Sequence, residues 1–180
     1  MPARPPADPG LRLRAARLDE IDAVRAIERA SSVRMLSTPF PELADDEPAD
    51  PGLLAARIAA GGLTVACAQA DTPVAFVMHR PLVQDWYIEQ IDVLPDWGRR
   101  GIGAGLLAEV ARQGRAAGAR ALVLSTFREV AFNAPYYRRL GFAELGEDEL
   151  DAELRAIREA HLARGLDETR RVFMRSRLRP

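Results

Sequence analysis

The stretch Val93-Leu94-Pro95-Asp96-Trp97-Gly98-Arg99-Arg100-Gly101-Ile102-Gly103-Ala104 decides the fold, because it has the pattern of a strand end, a tight loop and a helix start. The first backbone amides of a helix have no partner within the helix, and the helix dipole adds partial positive charge there. Glycine lets the backbone approach an anion closely, and Arg99 and Arg100 add full positive charges. The stretch therefore predicts a site for a phosphate group.

Two familiar phosphate-binding loops do not match this stretch. A P-loop requires a lysine after its second glycine, and the chain contains no lysine. A dinucleotide-binding fingerprint requires a third glycine at the position that Leu106 occupies. The strands around the loop also follow an antiparallel rather than a βαβ pattern, which disfavours a dinucleotide site.

A third kind of loop fits better. The run Ile91-Asp92-Val93-Leu94-Pro95, followed by Arg100-Gly101-Ile102-Gly103 and Leu106-Leu107, resembles the coenzyme A loop of the GNAT superfamily of N-acetyltransferases. Further along, Asn133-Ala134-Pro135-Tyr136-Tyr137-Arg138-Arg139-Leu140-Gly141-Phe142 is similar to the family's N-x-x-x-Y-x-x-x-G-F segment. The resemblance covers about residues 11–145 and, more loosely, the C-terminal strand. In one departure, the family usually has Gln or Arg where this chain has Gly98, and Gly where it has Arg99.

The resemblance implies an enzyme that moves the acetyl group of acetyl-CoA directly onto a primary amine of a small molecule or peptide, without a metal. It implies that the backbone of Ile91, Asp92 and Val93 binds the pantetheine arm as an added strand would. Asn133 is expected to bind the same arm, to cap its helix, or to do both. The diphosphate is expected on the backbone amides of the loop and first helical turn, which are those of Arg99, Arg100, Gly101, Ile102, Gly103 and Ala104.

Acetyl transfer needs a group that protonates or stabilises the departing thiolate and a means of removing a proton from the amine. Tyr137 is the predicted donor, because a phenol with an ordinary pKa of about 10 donates a strong hydrogen bond to the thiolate of a thiol with a pKa of about 8.5. Glu89 is the predicted base, with Asp92 or a water chain without a dedicated base as alternatives. Strand alternation places Glu89 with Ile91 and Val93 on one face, and Asp92 on the other.

Hydrophobic periodicity predicts an α/β sandwich on a mixed sheet. The resemblance implies the GNAT type of this fold, a mixed, mostly antiparallel sheet of six to seven strands flanked by helices on both faces. Residues 1–10 are expected to form a disordered arm, and residues 11–180 a single domain. Asp19 is expected to cap the first helix. The predicted strands are 11–14, 63–69, 74–80, 87–94, 121–124, 142–145 and 171–178, and the predicted helices are 19–31, 53–60, 103–118, 133–140 and 151–164.

Composition and charge limit the binding partners and the cellular location that are expected. The formal net charge of −1 does not favour nucleic acid, and no apolar run is long enough to span a membrane. Cys67 is the single cysteine, so no disulfide forms within the chain, and with no signal peptide the expected location is the cytoplasm. His79 and His161 are predicted to be surface or structural residues rather than metal ligands. A homodimer is expected because dimers are common in the family.

Alternatives remain for the activity and for the acceptor. The fold can bind an acyl-CoA without chemistry, as a sensor or regulatory module, or the acceptor can be a protein N-terminus. All 25 basic residues are arginine, so the chain offers no side-chain amine of its own as an acceptor. The acidic residues between 42 and 47 either favour a cationic amine or belong to a solvated loop.

Overall fold

The computed structural model describes residues 10–178, which divide into two compact units. The N-terminal unit comprises residues 10–80 and 88–113, and the C-terminal unit comprises residues 81–87 and 114–178. Residues 1–9, which make up nearly all of the predicted arm, and residues 179–180 lie outside the described part. The assignment of residues 11–180 to one domain stays a prediction.

Strands and helices follow one another along residues 10–178 in the predicted order. The strands are β1 (Arg12–Ala15), β2 (Leu63–Cys67), β3 (Pro73–Pro81), β4 (Trp86–Val93), β5 (Ala121–Phe127), β6 (Ala143–Glu144) and β7 (Arg171–Arg177). The helices are α1 (Ile21–Ser32), α2 (Pro51–Ala59), α3 (Ile102–Ala116), α4 (Ala134–Arg139) and α5 (Ala152–Ala163). The strands form a seven-stranded, mostly antiparallel sheet, which confirms the predicted fold class. Within these residues no helix has the length and apolar character needed to cross a membrane.

The N-terminal unit is built on the β2–β3 hairpin. Val65 pairs with Phe76 and Leu63 with Met78, so these large side chains share one face of the sheet. Helices α1 and α2 pack on that face, and their buried contributions to the same core cluster are Val24, Ile27 and Leu54. Apolar side chains at helical spacing on α1 thus meet alternate residues of the strands, which is the pattern that the sequence predicts.

The start of α1 differs from the prediction. Asp19 does not cap the helix, because it lies in a short 3-10 turn over Leu18–Glu20 and α1 begins after that turn. The Glu20 carboxylate accepts a hydrogen bond from the backbone amide of Arg17 at 2.8 Å and pairs with the Arg14 guanidinium at 2.6 Å. These bonds stabilise an extra turn that helical periodicity alone does not reveal.

Helices α2 and α5 both begin at an aspartate cap. The Asp50 carboxylate accepts from the backbone amide of Leu53 at 3.1 Å, and Pro51 occupies the first turn. The Asp151 carboxylate accepts from the backbone amide of Leu154 at 3.0 Å. Each cap satisfies an amide that has no partner within the helix, and the Asp50–Pro51 pair moves the start of α2 ahead of the predicted residue 53.

The predicted β2–β3 hairpin is confirmed, and its turn is tied to β1. Ala70 and Asp71 have φ values of 57° and 58°, in the left-handed region. The Asp71 carboxylate accepts hydrogen bonds from Arg14 at 2.8 Å and from Arg17 at 2.7 Å. These bonds lower the pKa of Asp71 below its ordinary value, so the turn keeps its negative charge between two arginines.

The C-terminal unit is centred on the β5–β7 pair. The two strands are antiparallel over their whole length, from Ala121 opposite Arg177 to Phe127 opposite Arg171. β6 pairs with β7 over its two residues. Helix α5 packs on this unit through a core cluster of buried side chains, which are Tyr87, Val123, Leu150, Leu154, Ile157 and Phe173.

Burial of His79 is expected to make the free energy of unfolding fall in acid. Its side chain is 2% exposed on β3, and burial lowers its pKa to about 4 against the opposing influence of Glu89. An unfolded histidine has a pKa of about 6.5, so the unfolded state binds more protons between these two values, and stability falls as the pH drops through that window. We expect His79 to lower the free energy of unfolding by about 2 kcal/mol between pH 7 and pH 5.

Urea denaturation of the native protein and of His79→Leu at pH 7 and pH 5 checks this expectation. Leucine is apolar and does not titrate, so the variant is expected to lose less stability on acidification than the native protein. Other titrating groups are common to both proteins and cancel in the comparison. Equal losses in the two proteins would contradict the assignment of this pH dependence to His79.

Candidate active site

The loop between β4 and α3 has the strand–turn–helix form that the sequence predicts. After Val93, the backbone amide of Trp97 donates to the Leu94 carbonyl at 2.9 Å, and that of Gly98 donates to the Pro95 carbonyl at 3.0 Å. The amide of Gly105 donates to the Gly101 carbonyl at 2.9 Å, which is the first helical hydrogen bond. The amides of residues 102–104 therefore belong to the first turn, where no acceptor exists within the helix. These amides and the helix dipole favour an anion at this end of α3.

Two residues of the loop have left-handed backbone conformations. Arg99 has a φ of 61° and Gly101 has a φ of 76°. Arg100, which lies between them, places its guanidinium 4.7 Å from the centre of the Trp97 ring and donates to the Asp96 carbonyl at 3.1 Å. Alternating backbone conformations of this kind turn successive amides toward one side and form concave anion sites.

Glu89, on β4, is held by two arginines. Its carboxylate accepts two hydrogen bonds from the Arg57 side chain of α2, to Oε2 at 2.5 Å and to Oε1 at 2.8 Å. The Arg80 Nε atom lies 3.3 Å from Oε1. The Glu89 side chain is 16% exposed, so this ion pair is largely shielded from solvent. Two guanidiniums thus fix the orientation of the carboxylate that is the predicted base.

Asp92 lies at the centre of a buried polar network. Its carboxylate accepts from the Ser31 hydroxyl, from Gln90 Nε2 at 2.6 Å and from Arg34 Nη2 at 3.0 Å. The residue is 5% exposed. Burial raises the pKa of Asp92, while the Arg34 charge and the hydrogen bonds from Ser31 and Gln90 oppose that rise. Three donors on one buried carboxylate join the end of α1 to β4.

Removal of the Asp92 carboxylate is expected to destabilise the protein. In Asp92→Ala, the hydroxyl of Ser31 and the amide of Gln90 lose their acceptor in a buried site, and Arg34 loses its counter-charge. We expect the free energy of unfolding to fall by about 3 kcal/mol in urea denaturation. Asp19→Ala, at an exposed aspartate, is the matched control and is expected to change it by less than about 0.5 kcal/mol. An equal change in both variants would contradict the structural role of this network.

The simple alternation of side chains that was predicted along β4 is wrong. Arg80, which pairs with Glu89, follows Met78 by two residues on β3 and so belongs to the face that carries the α1–α2 core. Leu94 packs against the same core, although it lies an odd number of residues after Glu89. Asp92, two residues before Leu94, contacts α1 on that side. The alternation therefore shifts by one residue between Glu89 and Asp92, as it does where a strand carries an extra residue.

Tyr137 and Asn133 lie in the C-terminal unit, on and before the short helix α4. The Tyr137 ring is 7% exposed and packs edge-on against Tyr136 and Phe142, at 5.5 Å and 5.7 Å between ring centres. The backbone amide of Tyr137 donates to the Asn133 carbonyl at 2.9 Å. Asn133 occupies the cap position, yet its side chain makes no capping hydrogen bond. Between the two expected roles of Asn133, capping through the side chain is therefore not supported.

The predicted site residues are divided between the units. Glu89 and the residues of 91–93 and 99–104 belong to the N-terminal unit, whereas Asn133 and Tyr137 belong to the C-terminal unit. Sequence reasoning missed Ser31, Arg34 and Arg57, which bind the two acidic side chains of β4. Their partners lie 61, 58 and 32 residues away in the chain, and nothing in their local patterns marks them.

Both histidines have structural surroundings. His79 is buried on β3, and His161 Nδ1 lies 2.7 Å from Glu168 Oε1 while its ring stacks on Phe173. A surface location is therefore wrong for both, and a structural role is supported. Along residues 10–178 no group of three or more His, Cys, Asp or Glu side chains has the arrangement of a metal site.

Solved structures with this fold include several acetyltransferases. The chain superposes on N-acetylglutamate synthase from Neisseria gonorrhoeae, in complex with coenzyme A and N-acetyl-glutamate, with a TM-score of 0.72, 17% identity and 94% of this chain covered. It spans only 35% of that synthase. It also superposes on the PaiA N-acetyltransferase from Thermoplasma acidophilum, in complex with coenzyme A, with a TM-score of 0.70 and 14% identity over 93% of this chain and 98% of the other.

A third similar structure is the ribosomal-protein-S18-alanine N-acetyltransferase from Escherichia coli, with a TM-score of 0.64 and 16% identity over 94% of this chain and 95% of the other. At these identities the three likenesses establish the fold alone. The family model described as Acetyltransferase (GNAT) family matches residues 29–142, which include strand β4, the loop that follows it, α3 and α4. Because this match spans more than half of the chain, the chain belongs to the GNAT family of acetyltransferases.

Proposed function

We propose that the protein transfers the acetyl group of acetyl-CoA directly to a primary amine of a small molecule or peptide. The observation that carries this proposal is the loop before α3, where two left-handed residues lead into a first helical turn of amides without helical acceptors. Membership of an acetyltransferase family supports the identity of the ligand. Coenzyme A in the similar structures from Neisseria gonorrhoeae and Thermoplasma acidophilum supports it further.

The coenzyme is proposed to bind mainly through the backbone. The diphosphate takes the amides of residues 99–104, and the pantetheine arm pairs with the backbone of Ile91, Asp92 and Val93 as an added strand. Asn133 hydrogen-bonds the same arm. A backbone amide near Val93 donates to the thioester oxygen as negative charge develops there.

In the proposed reaction the amine nitrogen attacks the thioester carbonyl carbon, so a C–N bond forms and the C–S bond breaks. The Tyr137 phenol donates a hydrogen bond that stabilises the departing thiolate. The amine gives its proton to a base, and the proton passes from the base through solvent to the thiolate, which leaves as the thiol of coenzyme A while the base and the phenol keep their starting forms. Direct transfer is supported by the surroundings of Cys67, which is buried on β2. Burial raises the pKa of its thiol, which disfavours the thiolate that an acyl-enzyme would need.

Glu89 is the proposed base. Its three contacts with Arg57 and Arg80 leave one of about four lone-pair positions, on Oε2, for an amine proton. Asp92 is the alternative, but its side chain is more deeply buried, with 6% of it exposed against 16% for Glu89. The remaining alternative is proton loss to a water chain, which needs no dedicated side chain.

The acceptor amine is proposed only as a class. The similar synthase contains N-acetyl-glutamate, and the similar enzyme from Escherichia coli is named for a protein alanine, so small molecules and protein N-termini both belong in the test. We also propose a homodimer located in the cytoplasm, which size-exclusion chromatography with light scattering and cell fractionation would examine.

The test is to mix purified protein, acetyl-CoA and a pooled panel of amines and N-terminal peptides, and to follow thiol release. Mass spectrometry of the products then identifies the acceptor. Release that depends on both protein and amine supports the proposal. If acetyl-CoA raises the melting temperature but no amine or peptide is acetylated, the protein is a non-catalytic acyl-CoA sensor and the proposed activity is wrong.

A further inference from the structure

The cluster of Arg57, Arg80 and Glu89 carries more positive than negative charge. Two guanidiniums and one carboxylate leave a net charge of +1. His79 lies close enough for Glu89 to influence its pKa, but that pKa is about 4, so the imidazole is neutral at pH 7 and does not alter the balance. The Arg57 and Arg80 side chains are 22% and 33% exposed, against 16% for Glu89. The accessible part of the cluster is therefore mainly guanidinium, which attracts an anionic group.

Arg57 has a second edge of donors beside the one that binds Glu89. A guanidinium carries five N–H groups in one plane. Arg57 uses Nε and one N–H of Nη2 for the Glu89 carboxylate. The remaining N–H of Nη2 and those of Nη1 form the other edge, which has the geometry for a second carboxylate. Because Glu89 fixes the plane of the guanidinium, the direction of this second edge is fixed as well.

The second edge of Arg57 lies close to the position where Glu89 can take a proton. The remaining lone pair of Glu89 is on Oε2, the oxygen that Arg57 Nε binds at 2.5 Å. An amine that donates to Oε2 at about 3 Å is therefore within about 5.5 Å of Arg57 Nε. In an α-amino acid the carboxyl carbon lies about 2.5 Å from the nitrogen, because one carbon separates them. One small molecule can thus contact both groups.

The charge of the cluster discriminates between kinds of amine. A cationic amine without a carboxylate meets a net positive charge and is repelled, whereas an amino acid brings a counter-charge for the guanidinium. The nearby guanidiniums also favour the neutral form of the bound amine, which is the form that attacks a thioester. The same cluster therefore favours binding of the carboxylate and loss of the amine proton.

We propose that the acceptor is a free α-amino acid, whose carboxylate binds the Arg57 guanidinium while its amine donates to Glu89. The inference rests on the proposed function and narrows its acceptor from any primary amine to one with a carboxylate on the adjacent carbon. The amine nitrogen bonds to the acetyl carbon as the C–S bond of acetyl-CoA breaks, and the amine proton passes from Glu89 through solvent to the thiolate. The products are an N-acetyl-amino acid and coenzyme A. A peptide N-terminus does not qualify, since its first carboxyl group is an amide.

The experiment follows thiol release from acetyl-CoA with matched acceptors. Each common amino acid is supplied as the free acid, as its carboxamide and as the first residue of a dipeptide amide, together with simple amines that lack a carboxylate. We expect at least one free acid to have a kcat/KM at least about tenfold above that of its carboxamide, because the amide loses a charge-assisted contact.

Arg57→Gln tests the residue through the ratio of kcat/KM for the acid to kcat/KM for its carboxamide. A change in the orientation of Glu89 affects both substrates and cancels in the ratio, whereas loss of the carboxylate contact is expected to lower the ratio about tenfold. Arg57→Lys keeps the charge without the planar fork and is expected to give an intermediate ratio. Arg112→Gln, which removes an exposed guanidinium paired with Glu109, is the control and is expected to keep the ratio within about twofold.

Two results would overturn the inference while leaving acetyl transfer intact. One is acetylation of carboxamides, dipeptide amides or simple amines at least as fast as that of every free acid, and the other is an unchanged ratio in Arg57→Gln. If the melting temperature shows that Arg57→Gln does not fold, an unchanged ratio in Arg57→Lys has the same meaning. Release of no thiol with any acceptor would contradict the proposed function itself, and this inference with it.

Discussion

Gly101→Asp is expected to weaken coenzyme A binding by about 100-fold or more, as measured by calorimetry. The φ of Gly101 is 76°, in the left-handed region, where glycine is favoured over a residue with a Cβ atom. The new carboxylate would also stand beside the first-turn amides of α3, where it competes for them and repels a diphosphate. Because each tenfold loss of affinity corresponds to about 1.4 kcal/mol, these two effects together need to supply roughly 3 kcal/mol.

Gly61→Asp is the matched control for this variant. Gly61 has a φ of 70°, and a Cβ atom there meets nothing within 4 Å, so the backbone strain and the added charge are comparable. Gly61 precedes β2, whose Leu63 pairs with Met78 near one end of β3. The coenzyme loop begins beside the other end of β3, where the backbone amide of Leu94 donates to the Val74 carbonyl. The control therefore lies at the opposite end of β3 from the loop. The control is expected to lose stability but not affinity. Equal affinities of Gly101→Asp and the native protein would mean that the coenzyme does not use this loop.

Local sequence patterns were sufficient to predict the elements whose signals lie within their own residues. The order of strands and helices, the β2–β3 hairpin and the strand–loop–helix segment at residues 93–104 all follow from periodicity, turn residues and glycines. The GNAT resemblance was confirmed by the family match over residues 29–142. These features depend on residues close together in the chain, so the sequence specifies them directly.

Features that depend on distant pairing were missed. Glu89 was predicted as the base from its place on β4, but its pairing with Arg57, 32 residues away in the chain, was not predicted. The shift in alternation along β4 depends on how this strand pairs with its neighbour, which no local pattern encodes. The prediction that Asp19 caps α1 was wrong for a similar reason, because Glu20 forms ion pairs with Arg14 and Arg17.

Pairing with distant residues also changes the interpretation of the acidic segment at residues 42–47. By itself it suggests a surface that attracts a cationic amine, but Glu47 pairs with Arg29 at 3.1 Å and lies 3.8 Å from Arg25. Part of the negative charge is therefore balanced within the N-terminal unit. The acceptor class consequently has to come from the amine panel rather than from the composition of this segment.

Tyr137→Phe is expected to lower kcat at least about tenfold, which corresponds to about 1.4 kcal/mol of transition-state stabilisation. The variant removes only the hydroxyl that is proposed to donate to the departing thiolate. The ring, which packs against Tyr136 and Phe142, is retained, so the fold and the dissociation constant of coenzyme A are expected to stay nearly unchanged. An effect on kcat without an effect on coenzyme affinity identifies a group that acts in the transition state.

Tyr136→Phe is the control, because it removes the same hydroxyl from the adjacent residue, whose phenol is largely buried beside Arg139. Tyr136 has no proposed part in the reaction, and its variant is expected to keep kcat within about twofold. The comparison needs conditions in which chemistry limits the rate, since slow product release would hide a loss in the chemical step. Single-turnover measurements meet that requirement. If Tyr137→Phe then transfers the acetyl group as fast as the native protein, the thiolate leaves without help from Tyr137, and the proton must come from another residue or from water.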